Sequence, residues 1–287
     1  MCRFVAYVGQ PITLESLIFL PRNSLINQSI NAEEFEERLN GDGFGIGWYA
    51  PSVAAEPAVF RSVTPAWSNK NLMRLARVVE SETILAHVRA ASPGMQVLET
   101  NCHPFSWGRY CFMHNGHIGD FAKLRRPLRR ELSDEAYDMI EGSTDSEHLF
   151  ALFVANLGKY SELQRGDAMA RALEDAVRSV VALQKQHGTG DVSYLNVSVT
   201  DGVRLVAIKF TDGPAEHALS LYVRKGRQYI CENGVCRMMD SGHGKSSVMV
   251  CSEKLSDDAG WEAVPVNHIV LVDEERAVET RPLEVGV

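Results

Sequence analysis

The chain has 287 residues, 45% hydrophobic and 23% charged, a composition typical of a globular protein with a substantial core. Its formal net charge of −8 argues against non-specific nucleic-acid binding. No apolar run reaches the ~18 residues of a membrane span and no signal peptide is recognisable, so we expect a cytoplasmic protein with no membrane partner. The six cysteines form no C-x-x-C pair, and we expect reduced thiols, with Cys231 and Cys236 as core or turn residues.

The amino terminus contains the strongest candidate nucleophile. If Met1 is removed, Cys2 carries a thiol and a free α-amine, which together supply a nucleophile and a base on one residue. A neutral α-amine, with an ordinary pKa of about 7.7–8.0, can accept the thiol proton near neutral pH. Because Cys2 is small, we expect Met1 to be removed. Residues 2–8 alternate as in a strand, and the alternative is that Cys2 is an ordinary apolar residue at its beginning.

Two short helices are predicted next, from Thr13 to Phe19 and from Ala32 to Leu39, the second capped by Asn31. The stretch NGDGFGIGWY over residues 40–49 then has a glycine at every second position. Such spacing leaves one face of a strand bare, so that another backbone can approach, and it does not match the dinucleotide fingerprint. We interpret it as a strand packed against the active end of the first strand, with a merely tight turn and strand as the alternative.

A strand from Thr83 to Arg89, preceded by a predicted helix over 69–81, ends before a turn over residues 90–94. An arginine that ends an apolar strand is a candidate clamp for a carboxylate, because its planar fork binds both oxygens. The next strand, over residues 109–113, leads into His114-Asn115-Gly116-His117. An Asn side-chain amide beside a Gly N–H supplies two donors that can converge on an oxyanion, although Asn-Gly is more often a hairpin turn.

A helix is predicted from Ser143 to Leu157, with Asp145 in its first turn, where Asp145 either complements the helix dipole or binds a ligand. A long helix over 167–186 follows and closes at Gly188. Strands over 192–200 and 203–210, joined by Asp201-Gly202, form a predicted hairpin, and later strands are predicted over 219–224, 228–231, 247–251 and 267–273. Strands, then helices, then strands favour two sheets face to face with helices outside, in a single domain over 1–287.

Taken together, Cys2, the glycine stretch 40–47, the strand end at Arg89, His114-Asn115-Gly116 and Ser143-Thr144-Asp145 resemble, in order, the class II glutamine amidotransferases of the N-terminal nucleophile type. The similarity covers residues 1 to about 160. The opening Met-Cys-Arg-Phe and the glycine stretch are similar to a small stand-alone branch of that family. This branch includes the ergothioneine-pathway γ-glutamyl hydrolase and the fungal glutathione-degrading amidotransferase subunit.

The resemblance implies an α+β fold, a four-layer αββα sandwich of two antiparallel sheets, and thiol-dependent hydrolysis of a γ-glutamyl amide without a cofactor or metal. It implies that Cys2 is the nucleophile and that Asn115 and the Gly116 N–H form the oxyanion hole. Arg89 would bind the substrate α-carboxylate and Asp145 the α-ammonium, and Ser92 would lie at the substrate pocket. Gly41, Asp42 and Gly43 would support the site. Ala90 replaces the Trp of the sugar-phosphate aminotransferase relatives, and Ser92 replaces their Thr, so the leaving group stays open.

Two other functions are open at this point. A metal-dependent amidohydrolase could use His87, His103, His114 and His117, although their spacing matches no familiar ligand motif. Alternatively, the chain could be an amidotransferase or peptidase subunit that is active or regulatory only in complex with a synthase or peptidase partner. A homodimer is a separate expectation.

Overall fold

A computed structural model describes residues 2–34, 38–92, 94–232, 235–242 and 244–285. The helices are α1 (Leu14–Ile18), α2 (Leu25–Asn31), α3 (Lys70–Ala76), α4 (Phe121–Arg129), α5 (Asp134–Asp138), α6 (Asp145–Leu157) and α7 (Arg165–His187). The strands are β1 (Arg3–Thr13), β2 (Phe44–Trp48), β3 (Ala58–Ser62), β4 (Glu80–Val88), β5 (Phe105–Trp107), β6 (Tyr110–His117), β7 (Tyr194–Thr200), β8 (Leu205–Thr211), β9 (Tyr222–Gly226), β10 (Gln228–Glu232), β11 (Val235–Met239), β12 (Ser247–Cys251), β13 (Trp261–Ala263), β14 (His268–Val272) and β15 (Val278–Pro282). None of the helices in these ranges is both long and apolar enough to cross a membrane.

Two antiparallel sheets lie face to face. The first has the order β13-β9-β12-β1-β4-β2-β3 and the second β15-β14-β8-β7-β6-β5. Successive side chains of β1 point to opposite faces of the first sheet, and both faces are covered. Phe4, Ala6 and Val8 pack between the sheets, whereas Val5 and Tyr7 pack outward against α1, α2, α3 and the β10–β11 hairpin. Helices α4 to α7 cover the second sheet, so the predicted four-layer αββα sandwich is confirmed.

Several predicted helices are confirmed. Thr13 caps α1, because its side chain accepts a hydrogen bond from the Ser16 N–H. Thr144 caps α6 in the same way, with the Glu147 N–H as donor. Helix α7 ends before Gly188, as the glycine predicts.

The predicted helix from Ala32 to Leu39 is wrong where the structure describes it. Residues 35–37 lie outside the described residues, but 32–34 and 38–40 are not helical. The helix of this region is α2, which is capped by Ser24 and ends at Asn31. The helix predicted over 69–81 is also shorter, because α3 ends at Ala76 and β4 begins at Glu80.

The glycine-rich strand does not lie next to β1, contrary to the prediction. Strand β4 lies between them, and Gly45 pairs with His87 of β4. The bare glycine face is nevertheless used for close backbone approach. A Cβ on Gly45 would lie 2.1 Å from the carbonyl oxygen of His103.

The expectation of six reduced thiols is wrong for one pair. Cys231 and Cys236 form a disulfide that joins β10 to β11. The two residues lie directly opposite each other in the register of this hairpin, which brings their side chains together. Cys2, Cys102, Cys111 and Cys251 are free thiols.

Candidate active site

Cys2 lies just before β1, at the end of the first sheet. Because Arg3 pairs with Val88 in the β1–β4 ladder, Cys2 lies beside Arg89, which directly follows β4. The Cys2 thiol donates a hydrogen bond of 3.5 Å to the carbonyl oxygen of Ala90. Burial raises the pKa of the Cys2 thiol, while the positive charges of Arg89 and Arg3 oppose this rise. A thiol with a raised pKa is mostly protonated at neutral pH and needs a base before it can attack.

The turn that contains Gly41, Asp42 and Gly43 holds the residues after β4. The Arg89 N–H donates to the carbonyl oxygen of Gly43 at 2.8 Å, and the Asp42 N–H donates to the carbonyl oxygen of Arg89 at 2.9 Å. The Asp42 carboxylate accepts a further hydrogen bond of 2.8 Å from the Ala91 N–H. Gly41 packs closely on the ring of Trp67. These bonds fix residues 89–91 alongside the Cys2 thiol.

Arg89 is a nearly buried cation, with 3% of its surface exposed. Its guanidinium donates to the carbonyl oxygens of Asp42 and Gln96, both at a long 3.4 Å. Among the described residues it forms no ion pair. Removing a charged group from water without an opposite charge is costly. The side chain is therefore suited to bind an anion from outside the chain.

Asn115 and Gly116 lie in the second sheet, near the end of β6. This strand extends through His117, so Asn-Gly is not a hairpin turn here. Met113 packs between the sheets and Phe112 packs toward the helices, which places Asn115 on the side that faces the first sheet. Asn115 is 1% exposed, and within the described chain its Oδ1 atom has no hydrogen-bond partner.

The two sheets are connected at this end of the sandwich. Strand β6 contacts both β1 and β4 across the interface. The Nε2 atom of His87, in β4, lies 3.2 Å from the carbonyl oxygen of His114, in β6. The structure therefore brings Cys2, Arg89 and Asn115 to the same end of the inter-sheet space.

Gly116 could not be replaced by a residue with a side chain. Its φ angle is +147°, and a Cβ atom would lie 1.8 Å from the carbonyl oxygen of Tyr194 in β7. Glycine is thus required by both the backbone conformation and the approach of β7.

Asp145 lies at the first position of α6 and is bound to the end of β6. One carboxylate oxygen accepts a hydrogen bond of 2.8 Å from the Ile118 N–H, and the other accepts from the Ser146 N–H at 2.8 Å. These contacts fit the dipole-complementing interpretation and also fix the backbone just after Gly116.

Ser92 is exposed in the loop after β4, where its carbonyl oxygen accepts from the Met95 N–H at 3.0 Å. None of the described contacts brings its side chain to Cys2. Pro93 lies outside the described residues.

Asn101 is a supporting residue that the sequence pattern did not reveal. It is fully buried, its side chain donates to the carbonyl oxygen of Gln96 at 3.1 Å, and it accepts from the Ser143 N–H at 2.9 Å. It thereby connects the loop that contacts Arg89 to the beginning of α6.

The four histidines considered as metal ligands are used in other ways. His87 stacks on His103 with a centroid distance of 4.2 Å, and the two ring nitrogens of His114 face Ser146 Oγ and the Tyr194 carbonyl. His117 packs against the Tyr194 ring. Within the described ranges, no group of three or more His, Cys, Asp or Glu side chains is arranged to hold a metal ion.

Comparison with known proteins identifies the family of this chain. The family model for class II glutamine amidotransferases matches residues 17–284, and the chain belongs to this family. It is 36% identical to the probable glutamine amidotransferase DUG3 of Saccharomyces cerevisiae, over 96% of this chain and 82% of that protein. It is 27% identical to the γ-glutamyl-hercynylcysteine sulfoxide hydrolase of Mycolicibacterium smegmatis, over 98% and 99% of the two chains. These relatives identify an amidohydrolase-type enzyme.

Solved structures show the same fold. A glutamine aminotransferase class-II domain protein from Silicibacter pomeroyi superposes with a TM-score of 0.71 at 28% identity, and the match covers both chains fully. Glutamine phosphoribosylpyrophosphate amidotransferase from B. subtilis has a TM-score of 0.60 at 12% identity, over all of this chain and 50% of that chain.

Proposed function

We propose that this protein hydrolyses a γ-glutamyl amide through a thioester on Cys2. The observation that carries the proposal is the position of Arg89, a nearly buried guanidinium without an ion-pair partner in the described chain, beside the Cys2 thiol. A γ-glutamyl group has a carboxylate at one end and a scissile carbonyl a side chain away. An arginine adjacent to a nucleophile is suited to bind such a substrate by its α-carboxylate.

The proposed base is the α-amine of Cys2, which requires that Met1 be removed. The amine accepts the thiol proton, and the thiolate attacks the γ-carbonyl carbon. Asn115 and the Gly116 N–H donate hydrogen bonds to the oxyanion that forms. The C–N bond then breaks, and the leaving amine takes a proton from the Cys2 ammonium. Water attacks the thioester carbonyl, which releases the γ-glutamyl group as glutamate and restores the thiol.

Asp145 and Ser92 are proposed as further substrate contacts. Oδ1 of Asp145 accepts from the N–H and the hydroxyl of Ser146, whereas Oδ2 accepts only the Ile118 N–H among the described residues and has a second lone pair with which to receive an α-ammonium. The single domain over 1–287 is likewise our proposal, supported by the inter-sheet core that both sheets share and by the length of the family match. The γ-glutamyl substrate class is supported by the similarity to the γ-glutamyl-hercynylcysteine sulfoxide hydrolases.

The test is the intact mass of the purified protein before and after incubation with a diazo-ketone analogue of glutamine. We expect a mass without Met1 and a single adduct that peptide mapping places on Cys2, with no adduct on Cys2→Ala. Arg89→Met should slow adduct formation at least tenfold, whereas the exposed Arg22→Met should not. An active protein that retains Met1, or an adduct that forms equally fast in Arg89→Met, would contradict the mechanism. A processed chain that takes no adduct would instead favour a subunit that needs a partner.

A further inference from the structure

A row of polar side chains extends across the second sheet from Asn115. In the antiparallel register Asn115 pairs with Asn196 of β7, which pairs with Lys209 of β8. The neighbours Val197, Ile208 and Phe210 pack toward the helices, so Asn196 and Lys209 lie on the same inter-sheet side as Asn115. Adjacent strands are about 4.8 Å apart, which places the Lys209 backbone roughly 10 Å from that of Asn115.

Lys209 lines a cavity of about 540 Å³ at this end of the sandwich. Glu34, Glu216, His217, Ser220 and Tyr222 are also in its wall. Lys209 is only partly exposed, and burial lowers the pKa of its ammonium while the Glu34 carboxylate opposes this. Within the described residues the Lys209 ammonium forms no hydrogen bond or ion pair, and Glu34 accepts a hydrogen bond of 3.0 Å from the Tyr222 hydroxyl.

Hydrogen bonds connect the wall of this cavity to the nucleophile's strand. Asn196 donates to the carbonyl oxygen of Ser220 at 2.7 Å, and the Ser220 hydroxyl donates to the carbonyl oxygen of Ser252 at 2.7 Å. The Ser252 hydroxyl accepts from the Phe4 N–H at 3.0 Å, two residues from Cys2. The cavity therefore belongs to the same end of the sandwich as the active site.

The cavity and Arg89 lie on opposite sides of the nucleophile. In the first sheet β4, which leads to Arg89, is next to β1 on one side, whereas β12 and β9 are on the other side. Leu221 and Tyr222, in the wall of the cavity, belong to that second side. If the glutamyl head binds at Arg89, the group on the far side of the scissile carbonyl extends toward Lys209.

We propose that this cavity binds the leaving group of the γ-glutamyl substrate and that Lys209 recognises a carboxylate on it. The inference rests on the proposed function. Two residues of extended chain span about 7 Å, so a leaving group the size of a dipeptide, together with the Lys209 side chain, can bridge the roughly 10 Å between the Asn115 and Lys209 backbones. Glu34 and Glu216 in the wall disfavour a leaving group with several negative charges and favour a single carboxylate.

The test compares three substrates: glutamine, γ-glutamyl-alanyl-glycine, and the same peptide with a carboxamide terminus. The wild-type protein should prefer the free carboxylate over the carboxamide by about 10- to 100-fold in kcat/KM. Lys209→Met should abolish this preference and leave glutamine and the carboxamide within about twofold of wild type. Lys209→Arg should retain most of the preference, and Lys185→Met, an exposed lysine on α7, should change nothing.

Two results would overturn the inference while leaving the proposed function intact. In one, Lys209→Met turns over the free-carboxylate peptide as well as wild type does. In the other, it loses activity equally on all three substrates while its urea unfolding curve matches wild type. Absence of turnover on all three substrates by the wild-type protein, together with no adduct on Cys2, would overturn the proposed function and this inference with it.

Discussion

Gly45 is the position at which we expect a single methyl group to disturb the fold and the active site together. A Cβ there would lie 2.1 Å from the carbonyl oxygen of His103 and 3.1 Å from its carbonyl carbon. A backbone carbonyl cannot rotate away as a flexible side chain can. Strand β2 and the loop at His103 would have to separate by about 1 Å to restore an ordinary contact.

We expect Gly45→Ala to lower the free energy of unfolding by about 1–3 kcal/mol, the usual cost of overpacking a core. The shift also reaches the active site, because Gly43, two residues earlier, accepts the Arg89 N–H. A displacement of about 1 Å in a group that positions the substrate can reduce kcat by roughly 10²-fold. Urea unfolding followed by tryptophan fluorescence measures the first effect, and turnover of a γ-glutamyl amide measures the second.

Gly158→Ala is the matched control. Gly158 follows α6 with helical angles, φ −60° and ψ −25°, and a Cβ atom there would have no heavy atom within 4 Å. The same substitution should therefore raise the free energy of unfolding by about 0.4–1 kcal/mol, because it restricts the unfolded chain. The reasoning is refuted if Gly45→Ala unfolds within 0.5 kcal/mol of wild type.

Three further predictions concern individual side chains. Asn115→Ala should lower kcat by about 10²–10³ as an oxyanion donor is lost, and a loss below about threefold in steady-state turnover would contradict that role. Asp145→Asn should lower the free energy of unfolding by about 1–3 kcal/mol, since the amide retains one acceptor oxygen and leaves either the Ile118 or the Ser146 N–H without its partner. An unchanged KM would restrict Asp145 to this structural role. Burial lowers the pKa of His87 to about 3, so the unfolded chain binds a proton below about pH 6.5 that the native chain does not. As the pH falls from 7 to 5, His87 should therefore lower the free energy of unfolding by about 2 kcal/mol. Urea titrations of His87→Phe at several pH values should lack that decrease. If the free energy of unfolding of the variant falls with pH as steeply as that of the wild type, His87 is not its source.

Local signals explain why much of the fold could be predicted from the sequence. Caps at Thr13 and Thr144, the glycine after α7 and the Asp201-Gly202 turn each act within a few residues, and each occurs where the pattern indicates. By residue type Asn31 is as good a cap as Ser24, so the sequence does not indicate which of the two begins the helix. Helix α2 buries two polar residues, Gln28 and Ser29. Because its buried face is not apolar, the sequence shows no amphipathic pattern that would predict this helix.

Pairing between strands distant in the chain could not be predicted in the same way. Alternation shows which residues share a face, but not which strand lies next to which, so β2 was expected beside β1 although β4 separates them. The Cys231–Cys236 disulfide depends on the register of the β10–β11 hairpin, in which the two cysteines are opposite.

The position of Lys209 also depends on the pairing of strands that are distant in the chain, and it is the hardest of these features to predict. Arg89 and Asn115 lie near strand ends, beside glycine or turn residues. The sequence alone therefore indicates that each lies where the strands of a sheet end. Lys209 instead interrupts an apolar strand whose two faces are both covered, one by helices and one by the first sheet. Because apolar residues occupy both faces of such a strand, its hydrophobic pattern does not show on which face the lysine lies. Only the register from Asn115 through Asn196 to Lys209 places this cation at the same end as Cys2, and the residue that we propose to bind the leaving group is therefore visible in the folded chain alone.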